Sequence, residues 1–423
     1  MYTRARHESV FTPRRMAVVG VASLAMTGML AACSPAATPE DADAGGESIE
    51  LSVLDYFVAE PGHTVYNDLL TRCGDEVGVT IDHESVPGDQ LVPKALQLAS
   101  SRTMPDLLML NNPDVQQIAA TGALSPLSDY DIDTSGFIDT IMSAGTYKDE
   151  VYGLAPTVNA VALFYNVDLF EAAGVEPPKT WDELEEISPK LKSGDVYPIA
   201  FAAENSGLAA SQFLQAFWSN GGDLNELNSE EGVEALDYWT GLIRDGNASQ
   251  AVLNFNQEDV AGAFLAGKAA MMVNGPWNIP ALKENPDLNW AVAPVPTRTD
   301  DQDVIPSLGG EVWTLPITTA ARQAKSAELL ACLTTEESVM GLAKTAFNVP
   351  SLQAAAEEYA QEVPEMAAFV EEVQTARPRT LEVGVRYPAV GAAITEAIQA
   401  AGTGSKTAQQ AMDDAQALAE QTK

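Results

Sequence analysis

Segments readable as strands alternate with segments readable as helices from residue 49 to about residue 320, which limits the chain to an α/β architecture. Ile49-Glu50-Leu51-Ser52-Val53-Leu54 alternates with period two, as a half-buried strand does. A helix over roughly 64–77, a strand at 79–86 and a helix over about 88–101 follow. Leu107-Leu108-Met109-Leu110 is a continuous apolar run, suited to a strand buried on both faces. The pattern recurs as a strand at 161–165, a helix over Trp181–Leu191 with Thr180 as N-cap, and a strand at 197–202. Residues 208–245 read as helix broken at Asn220-Gly221-Gly222, and 269–273 and 312–316 read as further buried strands. Helices dominate after 320. The expectation is a mostly parallel sheet.

Ahead of this body stand Arg4, Arg6, Arg14 and Arg15, an uncharged run from Met16 to Leu30, and Leu30-Ala31-Ala32-Cys33. Basic, then apolar, then small is the layout of an export signal. A cysteine directly after the small residues can be lipidated on its thiol and become the mature N-terminus. A transmembrane anchor is the alternative, but the apolar run is short for a span of about 20 residues. The expectation is a lipoprotein signal over 1–32, a flexible acidic tether over 33–48, and a body anchored by lipid at Cys33 to the outer face of the cytoplasmic membrane. Arg14-Arg15 leaves the twin-arginine and general export routes both open.

The formal net charge is −37, and removing a leader with four Arg and one Glu leaves −40. That charge argues against nucleic acid and against direct adsorption to anionic lipid as partners. A strongly anionic ligand would need a local cationic pocket. Only three histidines are present, none at zinc-ligand spacing with cysteine, and no carboxylate calcium loop is visible. No cofactor or metal is expected. Cys73 and Cys332 fit either a disulfide in an oxidising compartment or two buried thiols.

Ligands of open α/β sheets bind beyond the carboxyl ends of the strands. That places Tyr56-Phe57, Asn111-Asn112, Thr157 to Asn159 and Gly275-Pro276-Trp277 near a candidate site. Rings that stack on sugar C–H faces, with amides and carboxylates that bond hydroxyls, suit a neutral polyol.

Several segments, in order, carry a family resemblance. They are Pro105-Asp106-Leu107-Leu108, Gly122-Ala123-Leu124, Tyr152-Gly153-Leu154, Phe164-Tyr165-Asn166-Val167-Asp168-Leu169-Phe170 and Pro178-Lys179-Thr180-Trp181-Asp182-Glu183-Leu184. The most specific is Phe264-Leu265-Ala266-Gly267-Lys268-Ala269-Ala270-Met271, closed by Asn274-Gly275-Pro276-Trp277. Together they resemble the carbohydrate-type extracellular solute-binding proteins of ABC importers, the group that includes maltose-binding protein. The resemblance implies a two-lobed periplasmic-binding-protein-like fold with hinge crossings and a ligand cleft between the lobes. Crossings are expected near 157, 307 and 355, giving lobe 1 as 49–157 plus 307–355 and lobe 2 as 158–306 plus 356–423. It also implies a non-enzymatic monomer that closes on a di- or oligosaccharide and delivers it to the ABC permease.

Trp277 matches the family's sugar-packing tryptophan, with a core tryptophan as the alternative. Trp313, after Gly309-Gly310-Glu311, is a second ring candidate, and the glycines admit either close approach to a ligand or tight packing at a crossing. Glu311 would accept sugar hydroxyls or stand as a solvated carboxylate. Asn159 stands where maltose-binding protein carries a sugar-contacting carboxylate, and Leu110 where it carries an aromatic, which makes Asn111 the nearer polar candidate. Tyr56 follows the first strand. Trp218 fits either the core or the cleft, through the Asn220-Gly221-Gly222-Asp223 turn. Tyr387, with Arg379 and Arg386, sits where the family's C-terminal segment returns to the cleft; arginines paired with surface acids are the alternative. Trp181, Trp239, Trp290 and Lys268 read as structural. A polyamine bound by Glu60, Glu204 and Glu311, a phosphorylated polyol bound by Arg379 and Arg386, and a secreted glycoside hydrolase are competing readings; no Gly-x-Ser-x-Gly elbow is present.

Overall fold

The computed structural model describes residues 49–422; the leader, the tether and Cys33 lie outside the described residues. Thirteen strands are present among these: β1 (Ile49–Asp55), β2 (Val79–Ser85), β3 (Leu107–Asn111), β4 (Thr146–Tyr147), β5 (Glu150–Val151), β6 (Gly153–Leu154), β7 (Thr157–Asn159), β8 (Ala162–Asn166), β9 (Tyr197–Ala200), β10 (Ala269–Asn274), β11 (Trp290–Ala293), β12 (Gly309–Thr314) and β13 (Val349–Pro350). The larger sheet runs β13-β7-β12-β3-β1-β2, with β6 also on β12; the smaller runs β11-β8-β10-β9. Each sheet is the centre of one α/β lobe.

The expectation of a mostly parallel sheet is corrected here. β1 is parallel to β2 and to β3, and β10 to β9, but β12 is antiparallel to β3, β6 and β7, and β8 is antiparallel to β10 and β11. Parallel neighbours arise where a helix returns the chain to the same end of its own sheet. A strand that arrives from the other lobe is free of that constraint, and β12 is such a strand.

In the larger lobe Leu51, Val53, Leu107, Met109 and Trp313 pack under Tyr66, Leu70 and Leu330 of the helices Gly62–Val77 and Ala320–Leu333. A disulfide between Cys73 and Cys332 joins those two helices, settling the pairing that spacing left open. The smaller sheet carries an aromatic core of Phe201, Phe213, Phe217, Trp218 and Trp239 under the helices Gly207–Ser219, Glu230–Arg244, Tyr387–Gly402 and Ala408–Glu420. Thr180 caps Trp181–Leu191 through a reciprocal capping box with Glu183, as its sequence position predicts.

Residues from 356 to 375, expected with the second lobe, lie against the larger sheet. The helices Gln353–Glu362 and Ala367–Thr375 pack on β13 and the second also on β7, and the Tyr359 hydroxyl donates to the Ala343 carbonyl at 2.9 Å. The chain leaves at Arg377 rather than near 355. There Arg377 N–H donates to Pro306 O at 2.8 Å and Leu308 N–H to Arg377 O at 3.0 Å. That passage therefore runs beside the one at 305–308, and Gly309 in turn pairs with Asn159. The reason is the two-residue strand β13, too short to show a period in sequence, which holds the following helices on the larger sheet.

Candidate functional site

The site is assembled where β1, β3, β7 and β10 end and where the antiparallel β12 begins. Asp55, fully buried at the end of β1, accepts the Phe57 N–H at 3.0 Å and pairs with His83 at 2.8 Å. This fixes the chain on both sides of Tyr56. The Tyr56 hydroxyl donates to Glu311 Oε1 at 2.5 Å, and Glu311 on β12 lies directly across from Asn111 on β3. Asn111 Oδ1 accepts from Arg379 Nη2 at 2.7 Å. Burial, with a smaller push from Asp55, raises the Glu311 carboxyl above its ordinary range, against the opposing effects of the Tyr56 bond and Arg379. Burial and the Glu311 charge raise the Tyr56 phenol as well.

Trp277 comes from the other lobe. Its indole lies back over Gly275, where a Cβ would fall 2.0 Å from the ring, so glycine is required for the ring to take this position. Gly309 and Gly310 are needed for packing at a crossing: a Cβ on Gly309 would meet Asn159 Oδ1 at 2.0 Å, and Gly310 has φ +122° with Val158 against it. The cleft so formed holds about 700 Å³ of open space, bordered by Tyr56, Asn111, Asn159, Trp277, Gly310, Glu311 and Arg379 together with Ser211, Gln257 and Ser307. A second cavity of about 1370 Å³ adjoins it, sharing Tyr56, Asn111 and Arg379 and adding Tyr387, Asp89, Asp114 and the helix start at Ser206-Gly207. Burial lifts the Asp114 carboxyl to about 6, although Arg379 draws it down.

The structure thus gathers Trp277, Glu311, Gly310, Asn159, Asn111, Tyr56 and Arg379 around one cleft and puts Tyr387 in the adjoining cavity. Two candidates are corrected. Trp313 is fully buried, with its ring 6.1 Å from that of Tyr66. It shares a strand face with Glu311, but two residues of strand, about 7 Å, carry it below the cleft floor. Trp218 is 1% exposed in the smaller lobe's core, with the Arg377 guanidinium 5.3 Å over its ring. It borders neither cavity. Arg386 reaches Asn225 instead of the cleft, and Glu60 and Glu204 border neither cavity. Ser211, Gln257, Asp114 and Ser206 were missed. Asp114 and the Ser206 N-cap follow strands β3 and β9 closely, so the strand-end rule held their signal.

Chemically the cleft presents one indole face, three amides (Asn111, Asn159 and Gln257), a buried carboxylate bonded to a phenol and one arginine. Among the described residues no group of three or more His, Cys, Asp or Glu side chains is placed to hold a metal. Among them too, no helix is long and apolar enough to cross a membrane.

Known proteins match this chain broadly. The profile of the family described as bacterial extracellular solute-binding protein matches residues 68–369. A putative binding protein of Brucella abortus (strain 2308) is 30% identical over 280 residues, covering 64% of this chain and 67% of that one. A maltooligosaccharide ABC transporter solute-binding lipoprotein of Streptococcus pneumoniae (serotype 4) is 28% identical over 328 residues, covering 71% and 72%. A maltose-bound protein of T. maritima superposes with a TM-score of 0.78 at 22% identity over 88% of this chain and 99% of its own, a likeness of fold.

Proposed function

This chain belongs to the bacterial extracellular solute-binding protein family, and from that membership we propose that it captures a neutral oligosaccharide for an ABC importer. The observation that carries the ligand class is the composition of the cleft: Trp277 from the smaller lobe borders it together with the Tyr56–Glu311 pair of the larger lobe and Asn111, which Arg379 meets just past the crossing. An indole covers the C–H face of a pyranose while the polar pairs bond its hydroxyls. Among the described residues Arg379 is the only cation bordering the two cavities, and Glu311 and Asp114 stand near it. A phosphate would meet both carboxylates, and a polyamine would meet the guanidinium. A polyol satisfies donors and acceptors together. The name of the Streptococcus pneumoniae relative supports maltooligosaccharides as the first class to try.

The ligand stabilises closure because both lobes contact it, and the closed form is the one that docks on the permease. Export with lipid attachment at Cys33 keeps the protein near that permease; a lipoprotein among the relatives supports this. Calorimetric titration of the purified protein with a maltooligosaccharide series tests the ligand, and Trp277→Ala should weaken binding about 10- to 100-fold with little change in Tm. Hydrolysis of the sugars, or thermal stabilisation by polyamines and not by sugars, would overturn the reading.

A further inference from the structure

Arg379 has an unusual place. It is 5% exposed, yet it borders both the cleft that holds Trp277 and the adjoining cavity that holds Tyr387. One guanidinium N–H is bonded to Asn111, which also borders both spaces. Its Cζ lies 5.8 Å from the centre of the Tyr387 ring on the far side, and its Nε–H has no partner. A buried guanidinium N–H left unbonded costs free energy comparable to a lost hydrogen bond. The Asn111 bond therefore satisfies only part of this buried guanidinium, and a ligand hydroxyl offered to Nε would offset the loss of that bond.

The two spaces differ in kind. The first is bordered by polar and apolar atoms in comparable measure, with Tyr56, Asn111, Asn159, Glu311 and Arg379 supplying the polar groups. The second, about 1370 Å³, is bordered by Leu91, Pro113, Tyr387, Pro388 and Ala392, with Asp114 and Asp89 as its carboxylates. That is a second surface with ring and carboxylate, and it shares Tyr56, Asn111 and Arg379 with the first.

We propose that the Arg379–Asn111 pair is a partition across the cleft that sets saccharide length: short chains fill the Trp277 compartment, and longer chains enter the second only by displacing Arg379 from Asn111. This rests on the saccharide reading above. Arg379 is thereby a specificity-determining residue, and Asn111 positions it.

The test is calorimetric titration of the full mature chain with maltooligosaccharides of increasing length, for the wild type, Arg379→Ala and Asn111→Ala, with Tm recorded for each. The wild type should lose affinity beyond a definite chain length. Arg379→Ala should shift the ratio of long-chain to short-chain affinity toward long chains by about tenfold or more, and Asn111→Ala should shift it in the same direction by less. A loss equal at every length, or an unchanged ratio in both variants at preserved Tm, would overturn the partition while leaving the saccharide reading intact. Wild-type protein that binds no saccharide of any length would sink both.

Discussion

The two lobes contribute to one cleft by different means. The larger lobe supplies hydrogen-bonding groups and is braced by specific polar and covalent links. Asp55 pairs with His83, Asp106 accepts a forked contact from Arg322, and the Cys73–Cys332 disulfide ties two helices over the sheet. Burial alone would raise the Asp106 carboxyl, but the Arg322 and Ser52 bonds outweigh it and hold it low. The smaller lobe supplies the Trp277 ring, with Ser211 and Gln257 beside it, and is held by aromatic packing: Trp181 stacks on Tyr238 at 4.2 Å, and Phe201 meets Trp239 at 4.3 Å. The lesson is one of tolerance. A hydrogen bond weakens steeply with distance and angle, so its donors need a rigid, registered support. A stacking surface tolerates small displacements, and non-directional core packing positions it well enough.

The contrast can be broken at its core. Trp239→Ala removes one of the buried indoles of the smaller lobe's interior and should cost about 3–5 kcal/mol of stability, read from denaturant unfolding. Binding by the folded fraction should stay within a few-fold of wild type. A loss below about 1 kcal/mol would mean that aromatic packing is not what holds this lobe.

Next comes the covalent brace. Replacing Cys73 and Cys332 together by serine should cost about 2–4 kcal/mol. Hydrogen exchange should rise in the helices Gly62–Val77 and Ala320–Leu333 and stay unchanged in Glu230–Arg244. Uniform loosening of both lobes would show that the brace is not local.

The smallest effect concerns the polar side of the cleft. Asp114 titrates at about 6 in the folded chain, above the ordinary carboxylate value near 3.9. The folded state therefore holds its proton more tightly than the unfolded state, and stability falls as pH rises from about 4 to about 6. Above pH 6 the ionised carboxylate is a standing cost. Asp114→Asn should remove it, raising stability at pH 7–8 by about 1–2 kcal/mol and flattening that slope, as thermal melts across pH 4–8 would show. A lower Tm at pH 8 would mean that Asp114 is stabilised by the Arg379 charge more than burial disfavours it.

Much of this was legible in sequence. The longer strands and helices, the Thr180 cap and Trp277 were visible, because each depends on residues close in the chain. Trp277 was readable because the glycine its ring needs is two residues away. Trp313 was misread, and Trp218 was left open between core and cleft, for one reason: periodicity tells which face a ring is on, not how deep along the element it lies. The site's polar pairs were not legible at all as pairs. Tyr56 and Glu311 are 255 residues apart, Asn111 and Arg379 are 268 apart, and Cys73 and Cys332 are 259 apart. The strands β4, β5, β6, β7, β11 and β13 were also missed, each too short or too mixed in character to show a period.

What the amino-acid order determined by itself is the α/β class, the acidic surface and the residue types available at the strand ends. These follow from side-chain period, charge and local capping, all short-range. Only the tertiary structure decided that β12 runs against its neighbours, that residues up to 375 stay on the larger sheet, and that Arg379 stands between two spaces instead of pairing at the surface. Those outcomes depend on which distant strands meet, and that is set by total burial across the fold, which no local window of sequence contains.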